Sequence, residues 1–202
     1  MTYELTFTLH SDWHIGSGEE GGSYADALVA KSAQGLPYIP GKSIKGLLRH
    51  AFETAAQHNW FGEHGEDVAT YLFGHEGKQA ECSQGVIQLS SAELSRAEQQ
   101  FLTFHKSHQK YLYRVLQSTA VNERGVARNT SLRATQVVVP VTLVCELTFN
   151  HEHPNWARLQ TLLTEAELVQ CIDDALLLIT ELGGKRQRGF GQVTVTLNKE
   201  AA

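Results

Sequence analysis

The sequence predicts an α+β fold, and three observations predict it. Apolar and polar residues alternate near both ends of the chain, at Tyr3, Leu5, Phe7 and Leu9 and again at Val193, Val195 and Leu197. A third alternating run occupies residues 137–149. Two stretches with apolar residues at helical spacing separate these runs. Period two marks a half-buried strand and period 3.6 an amphipathic helix. With a short apolar segment at 85–89 added, the order is strand, helix, strand, insertion, strand, helix, strand. That is the split βαβ order of a ferredoxin-like, or RRM-like, palm carrying large insertions.

Each element has its own reason. The first strand, Tyr3 to Leu9, is followed by a polar, glycine-rich loop from Ser11 to Ser23 and an extended stretch from Leu36 to Gly41. Ser43 is a candidate helix cap. Behind it Ile44, Leu47, Leu48, Ala51, Phe52, Ala55 and Ala56 fall on one helical face. Residues 59–84 read as an irregular, acidic inserted loop or lid, and Gly85 to Leu89 as a short strand. Residues 91–136 are polar and basic and read as a projecting, thumb-like insertion, with Gly125 as a candidate tip. The run 137–149 reads as one long strand, with Pro140 marking a bulge or an edge. Residues 156–182 carry Leu159, Leu162, Ala166, Val169, Ile172, Leu176 and Ile179 at helical spacing, with a break expected near Thr164. A final strand spans Val193 to Leu197. The whole chain, 1–202, reads as a single domain.

Composition narrows the class. The chain has 202 residues, 42% of them hydrophobic and 19% charged, values of a globular domain. No apolar run of membrane-spanning length and no signal sequence is visible, and Cys82, Cys145 and Cys171 are too few and too scattered for a disulfide framework. A cytoplasmic protein with no membrane partner is therefore expected. Net charge is -5, yet residues 105–136 hold six cations against Glu123 alone, a local +5 that leaves -10 for the remainder. Such asymmetry points to a polyanionic partner.

Two short segments carry the chemistry. The first is the loop Gly183-Gly184-Lys185-Arg186-Gln187-Arg188-Gly189-Phe190-Gly191, with four glycines around Lys185, Arg186 and Arg188. Glycines allow tight turns and close approach of another backbone, and clustered cations beside them suit a phosphate chain. The second opens the first helix, where Lys42, Lys45 and Arg49 share a stripe beside Ser43 and the helix N-terminus. Gly41-Lys42-Ser43 is not a nucleotide-binding P-loop, because Leu36 stands where that motif needs its first glycine.

These segments resemble a known family. Ile39-Pro40-Gly41-Lys42-Ser43-Ile44-Lys45-Gly46-Leu47-Leu48-Arg49 is similar to the IPGSSLKGxLR segment of the RAMP superfamily of CRISPR-associated proteins, and the 183–191 loop to its glycine-rich loop. The order His14-Ile15-Gly16-Ser17-Gly18, Asp26, Pro37 to Arg49 and Leu72-Phe73-Gly74 resembles the backbone subunit of type III CRISPR effector complexes. The resemblance implies a subunit that stacks with further copies of itself and with other effector subunits along a guide RNA. It also implies a thumb that kinks the guide, and cleavage of the paired target RNA at regular intervals. Asp26 matches the family's cleaving aspartate, so it is the expected catalytic residue and the transient ligand of a divalent ion, Mg2+ by preference; Asp12 and Glu20 are nearby rivals. His14, Lys42, Ser43, Lys45, Arg49, Arg124, Arg128, Arg133, Lys185, Arg186 and Arg188 are the expected RNA contacts.

Three other readings stay open. The subunit could be catalytically silent, or a RAMP nuclease that processes CRISPR repeat RNA by metal-free acid–base chemistry. A generic RRM is disfavoured, since no RRM signature of aromatic residues is found. Some relatives hold zinc in the region of His58, His64, His75 and Cys82, but no CxxC or HxxxH spacing occurs there and no structural zinc is expected.

Overall fold

The computed structural model describes residues 2–19, 21–22, 25–75, 84–120, 122–128 and 131–199. Four strands, β1 (Thr2–Leu9), β2 (Ile87–Leu89), β5 (Thr142–Phe149) and β6 (Val193–Lys199), form one sheet in the order β2-β5-β1-β6. Every neighbouring pair is antiparallel. The chain enters through β1, crosses by α1 (Gly41–Gln57) to the edge strand β2, and returns to the centre through β5. It then crosses again by α4 (Pro154–Leu162) and α5 (Glu165–Leu176) to the other edge, β6. This is the split βαβ order expected from the sequence.

The alternation in β1 puts Tyr3, Leu5, Phe7 and Leu9 in the core, with Leu143, Cys145, Leu147 and Phe149 beside them on β5. Helices cover this face through Ile44, Leu48 and Phe52 of α1 and Leu168 and Ile172 of α5. The opposite sheet face is lined by Glu4, Thr6 and Thr8, with Glu146 and Asn198 flanking Glu4. Among the described residues it carries no aromatic platform of the kind an RRM uses for base stacking.

The structure corrects several sequence expectations. Helix α1 begins at Gly41 with Pro40 in the cap position, two residues before Ser43. Gly41 lies so close to the Leu89 and Ser90 carbonyls that a side chain there would collide with them. The 59–84 segment is not irregular throughout, because α2 (Gly65–Phe73) lies within it and packs on α1. Its apolar face, Val68, Ala69, Leu72 and Phe73, is buried and meets Phe52. Residues 76–83, with Cys82, lie outside the described residues, as do Glu20, Ser23 and Tyr24.

The run 137–149 is two strands rather than one. Strand β4 (Arg133–Val138) ends before Pro140 and pairs with β3 (Tyr113–Ser118) in a separate two-stranded sheet, while β5 joins the main sheet. Proline has no N–H for a ladder and breaks the run there. The break near Thr164 occurs as expected, and Thr164 caps α5 by a reciprocal pair of hydrogen bonds with Glu167. That helix stops at Leu176, so Ile179 and Leu182 enter the core from an irregular segment. The insertion also contains α3 (Arg96–Phe104) and a 3-10 turn, Lys106–Leu112, that the sequence reading missed.

Candidate nucleic-acid interface

The two motifs meet across one groove. Its volume is about 450 Å³, and it is lined by Ser43, Gly46, Leu47 and His50 of α1, by His14 to Gly16, and by Leu182 to Gly184 with Arg186. Positions 43, 46, 47 and 50 repeat at i, i+3, i+4 and i+7, so one face of α1 forms a wall.

The glycine-rich loop is held against the 12–14 segment by backbone contacts. Gly184 N–H donates to the His14 carbonyl at 2.8 Å, and Gly191 N–H to that of Asp12 at 2.9 Å. Gly183 (φ +79°) and Gly191 (φ +70°) sit in the left-handed region, and a Cβ on either would run into a carbonyl, His14 O and Leu182 O respectively. Close approach therefore demands glycine at both positions.

Between these anchors the loop displays its cations. Lys185 takes a left-handed conformation, and its Nζ donates to Thr135 Oγ1 at 2.6 Å. Partial burial first, and then the neighbouring Arg188 and Arg133, push its ammonium below the ordinary lysine value. Like charges thus gather here. Among the described residues none of Lys185, Arg186, Arg188 and Arg133 forms an ion pair. A phosphate backbone is the ligand that would relieve their mutual repulsion.

His14 is oriented by the hairpin. Its Nδ1 lies 2.7 Å from the Gln136 carbonyl. A carbonyl only accepts, so Nδ1 carries the proton and Nε2 is the free ring nitrogen. Thr135 and Gln136 are buried polar residues with defined partners, since Gln136 Oε1 also accepts from Val29 N–H at 3.3 Å. Trp13, 1% exposed, bridges to Val138 and donates from Nε1 to Val139 O at 3.2 Å, tying the hairpin root to the palm.

Asp26 stands at the same strand. Its backbone N–H donates to Ala134 O at 2.8 Å, and its Oδ2 accepts from Ala134 N–H at 2.6 Å. The residue is exposed. Asp12 is engaged elsewhere, in an ion pair with Arg114 at 3.4 Å.

The other expected contacts are divided. Lys42 and Ser43 are exposed at the start of α1, but Lys45 Nζ donates to Ile87 O at 3.3 Å and Arg49 donates to the carbonyls of Phe73 and Gly74. Burial first and then Arg49 lower the Lys45 ammonium. Arg49 closes the C-terminal end of α2, and both side chains lean to the β2 and α2 side of the helix. Arg124 and Arg128 lie on the exposed hairpin tip, where Gly125 (φ +75°) makes the turn, and Arg133 opens β4. His50, Thr135, Gln136 and Trp13 were not singled out from the sequence. The signal for the pair 135–136 was two polar residues directly before the apolar run Val137–Val139.

A family profile described as the RAMP superfamily matches residues 6–194, nearly the whole chain. The chain belongs to the RAMP superfamily. Two solved structures are similar to this RAMP protein over its full length. One is described as the type III-B Cmr-beta complex bound to cognate target RNA; its chain is 10% identical, with 98% of this chain and 97% of that one covered and a TM-score of 0.67. The other is the Cmr-beta complex in the apo state, 12% identical, with 99% and 98% covered and a TM-score of 0.68. At such identities the likeness shows a shared fold. No curated protein matches the sequence. Within the RAMP fold, the glycine-rich loop, α1 and the His14–Gly16 segment build the groove wall, and Lys185 of that loop lies close to Arg188 and to Arg133 of the hairpin root.

Proposed function

We propose that this RAMP protein is a backbone subunit of a type III CRISPR ribonucleoprotein, binding guide RNA and cleaving complementary target RNA at regular intervals. The observation that carries the reading is the convergence of the glycine-rich loop, the α1 wall and His14 on one groove that Arg186 lines, with Lys185, Arg188 and Arg133 clustered at the same loop. Whole-chain likeness to subunits of the Cmr-beta complexes supports it. Partners are then guide RNA, target RNA, further copies of the chain and other effector subunits.

In this reading Lys185, Arg186, Arg188 and Arg133 hold phosphates, with Lys42 and Ser43 at the helix N-terminus beside them, and Arg124 and Arg128 reach along the RNA from the hairpin tip. Asp26 acts on the target strand. Among the described residues no group of three or more His, Cys, Asp or Glu is gathered to hold a metal alone. Asp26 fits a Mg2+ ion only in the manner usual for that ion, through one carboxylate with RNA phosphates completing the shell. Bound there, the ion would stabilise charge on the attacked phosphate. The chain's own part is positioning. Ala134 N–H fixes the carboxylate, and the cations hold the backbone so that a 2′-OH lies in line with its phosphate.

Asp26→Ala in the assembled complex is expected to abolish target cutting while RNA content and assembly stay intact. Unchanged cutting would make the subunit catalytically silent. One observation favours a second reading, a repeat-processing nuclease: His14 and His50 face the same groove. Chelator-resistant cutting of repeat RNA that is lost in His14→Ala would establish it instead.

A further inference from the structure

A second surface, remote in sequence from the groove motifs, has the makings of a nucleic-acid site. Helix α3 and the following 3-10 turn bury no residue completely. Phe101, Phe104, His105 and His108 recur at i, i+3, i+4 and i+7, the spacing of a core stripe, yet the stripe faces solvent. Phe104 is 84% exposed, Tyr111 68% and Phe101 52%. The rings form a continuous row. Phe104 lies 4.9 Å from His105, His105 5.7 Å from His108, and His108 6.3 Å from Tyr111, centroid to centroid.

The row is interleaved with charge of one sign. Lys106 and Lys110 form no ion pair among the described residues, and Lys110 Nζ stands 5.0 Å over the Tyr111 ring. The neighbouring acid, Glu98, is spent capping α3 through the Ser95 N–H and hydroxyl. The platform is also braced. Gln109 donates to Leu102 O and Gln34 O, and the Tyr113 hydroxyl to Gly35 O at 2.6 Å. A surface held in place before its ligand arrives loses less entropy on binding.

We infer that residues 101–111 form a second, single-stranded RNA platform on which bases stack against Phe104 and Tyr111 while Lys106 and Lys110 hold the adjoining phosphates. Exposed aromatic rings alternating with cations are the recognition chemistry of single-stranded nucleic acid. A protein interface is the poorer fit, since lysine is depleted from interface cores. The inference does not depend on Asp26 or on the groove clamp.

The test uses the full chain and a fluorescent oligouridine RNA carrying 4-thiouridine, with photocrosslinked peptides mapped by mass spectrometry. Adducts are expected in the 101–111 segment. Phe104→Ala with Tyr111→Ala should abolish them and weaken binding by roughly tenfold or more, at about tenfold per 1.4 kcal/mol of stacking lost. Lys106→Glu with Lys110→Glu should weaken binding comparably without touching a ring, and circular dichroism checks that each variant is folded. Alanines at Lys185, Arg186 and Arg188 should weaken binding yet leave the 101–111 adducts in place. Absence of those adducts, with unchanged affinity in both platform variants, overturns the inference and leaves the groove clamp standing. Variants that keep RNA affinity but lose association between copies of the chain would overturn it in favour of a protein interface.

Discussion

Gly191 and Gly189 share a left-handed backbone but differ in surroundings. At Gly191 an added Cβ would strike Leu182 O, whereas at Gly189 it would meet nothing within 4 Å. Gly189→Ala should therefore cost only the conformational penalty, about 1–2 kcal/mol. Gly191→Ala adds an unrelieved clash and should cost about 3 kcal/mol or more. Urea midpoints of the two variants measure the difference; equal losses would mean that the contact with Leu182 does not constrain the loop. The glycine spacing of this loop was legible in the sequence because turn chemistry is local. Which backbone each glycine touches was not, since His14 and Asp12 lie far away along the chain. Thr135 and Gln136 escaped notice for a related reason. Polar residues at the head of an apolar run resemble an ordinary strand entrance, and only the fold shows them buried against Lys185 and His14. Lys45 and Arg49 illustrate the converse. Their spacing along α1 was readable, but the carbonyls of Ile87, Phe73 and Gly74 that receive them belong to other elements.

The strands and helices with a single periodicity, β1, α1, α5 and β6, were readable because each buries one face against the same core. Strands β4 and β5 merged in the sequence reading because alternation continues across Pro140, although Val137 and Val138 are both fully buried in the fold. Helix α3 was missed since it is short and buries no residue, and its stripe mixes Phe101 and Phe104 with histidines and faces solvent. The joint between palm and hairpin depends on Trp13. Its indole is buried, and its backbone and Nε1 reach Val138 and Val139 at the end of β4. Trp13→Ala should destabilise the protein by about 3–5 kcal/mol. Because His14 follows directly and its ring is held by Gln136, the same substitution should weaken RNA binding by more than Trp13→Phe, which keeps most of the packing. Denaturant unfolding and filter binding on the pair of variants would check both parts. Equal RNA affinity in the two folded variants would detach the hairpin root from the binding role.

At the scale of the whole molecule, an acidic protein concentrates positive charge in residues 105–136 and in the glycine-rich loop. The -5 total disfavours indiscriminate attraction of RNA, so the proposed RNA binding calls for local contacts, the glycine-rich loop and hairpin root among them. Contacts of that kind release condensed counterions, and each phosphate neutralised on a single strand contributes about 0.7 to the slope of log K against log salt. Replacing Lys185, Arg186 and Arg188 with alanine should then flatten the slope by about 2 if all three touch phosphates. Replacing Lys45 and Arg49 should change the slope little, because their cationic heads are already directed at the carbonyls of Ile87, Phe73 and Gly74. Their loss should appear in stability instead, through the open C-terminal end of α2. Binding isotherms on a fixed single-stranded RNA across a series of salt concentrations separate the two sets. A slope unchanged by the loop substitutions would remove the glycine-rich loop from the RNA path. A slope flattened equally by Lys45→Ala with Arg49→Ala would mean that RNA draws those side chains off their backbone partners, extending the interface along α1 toward β2.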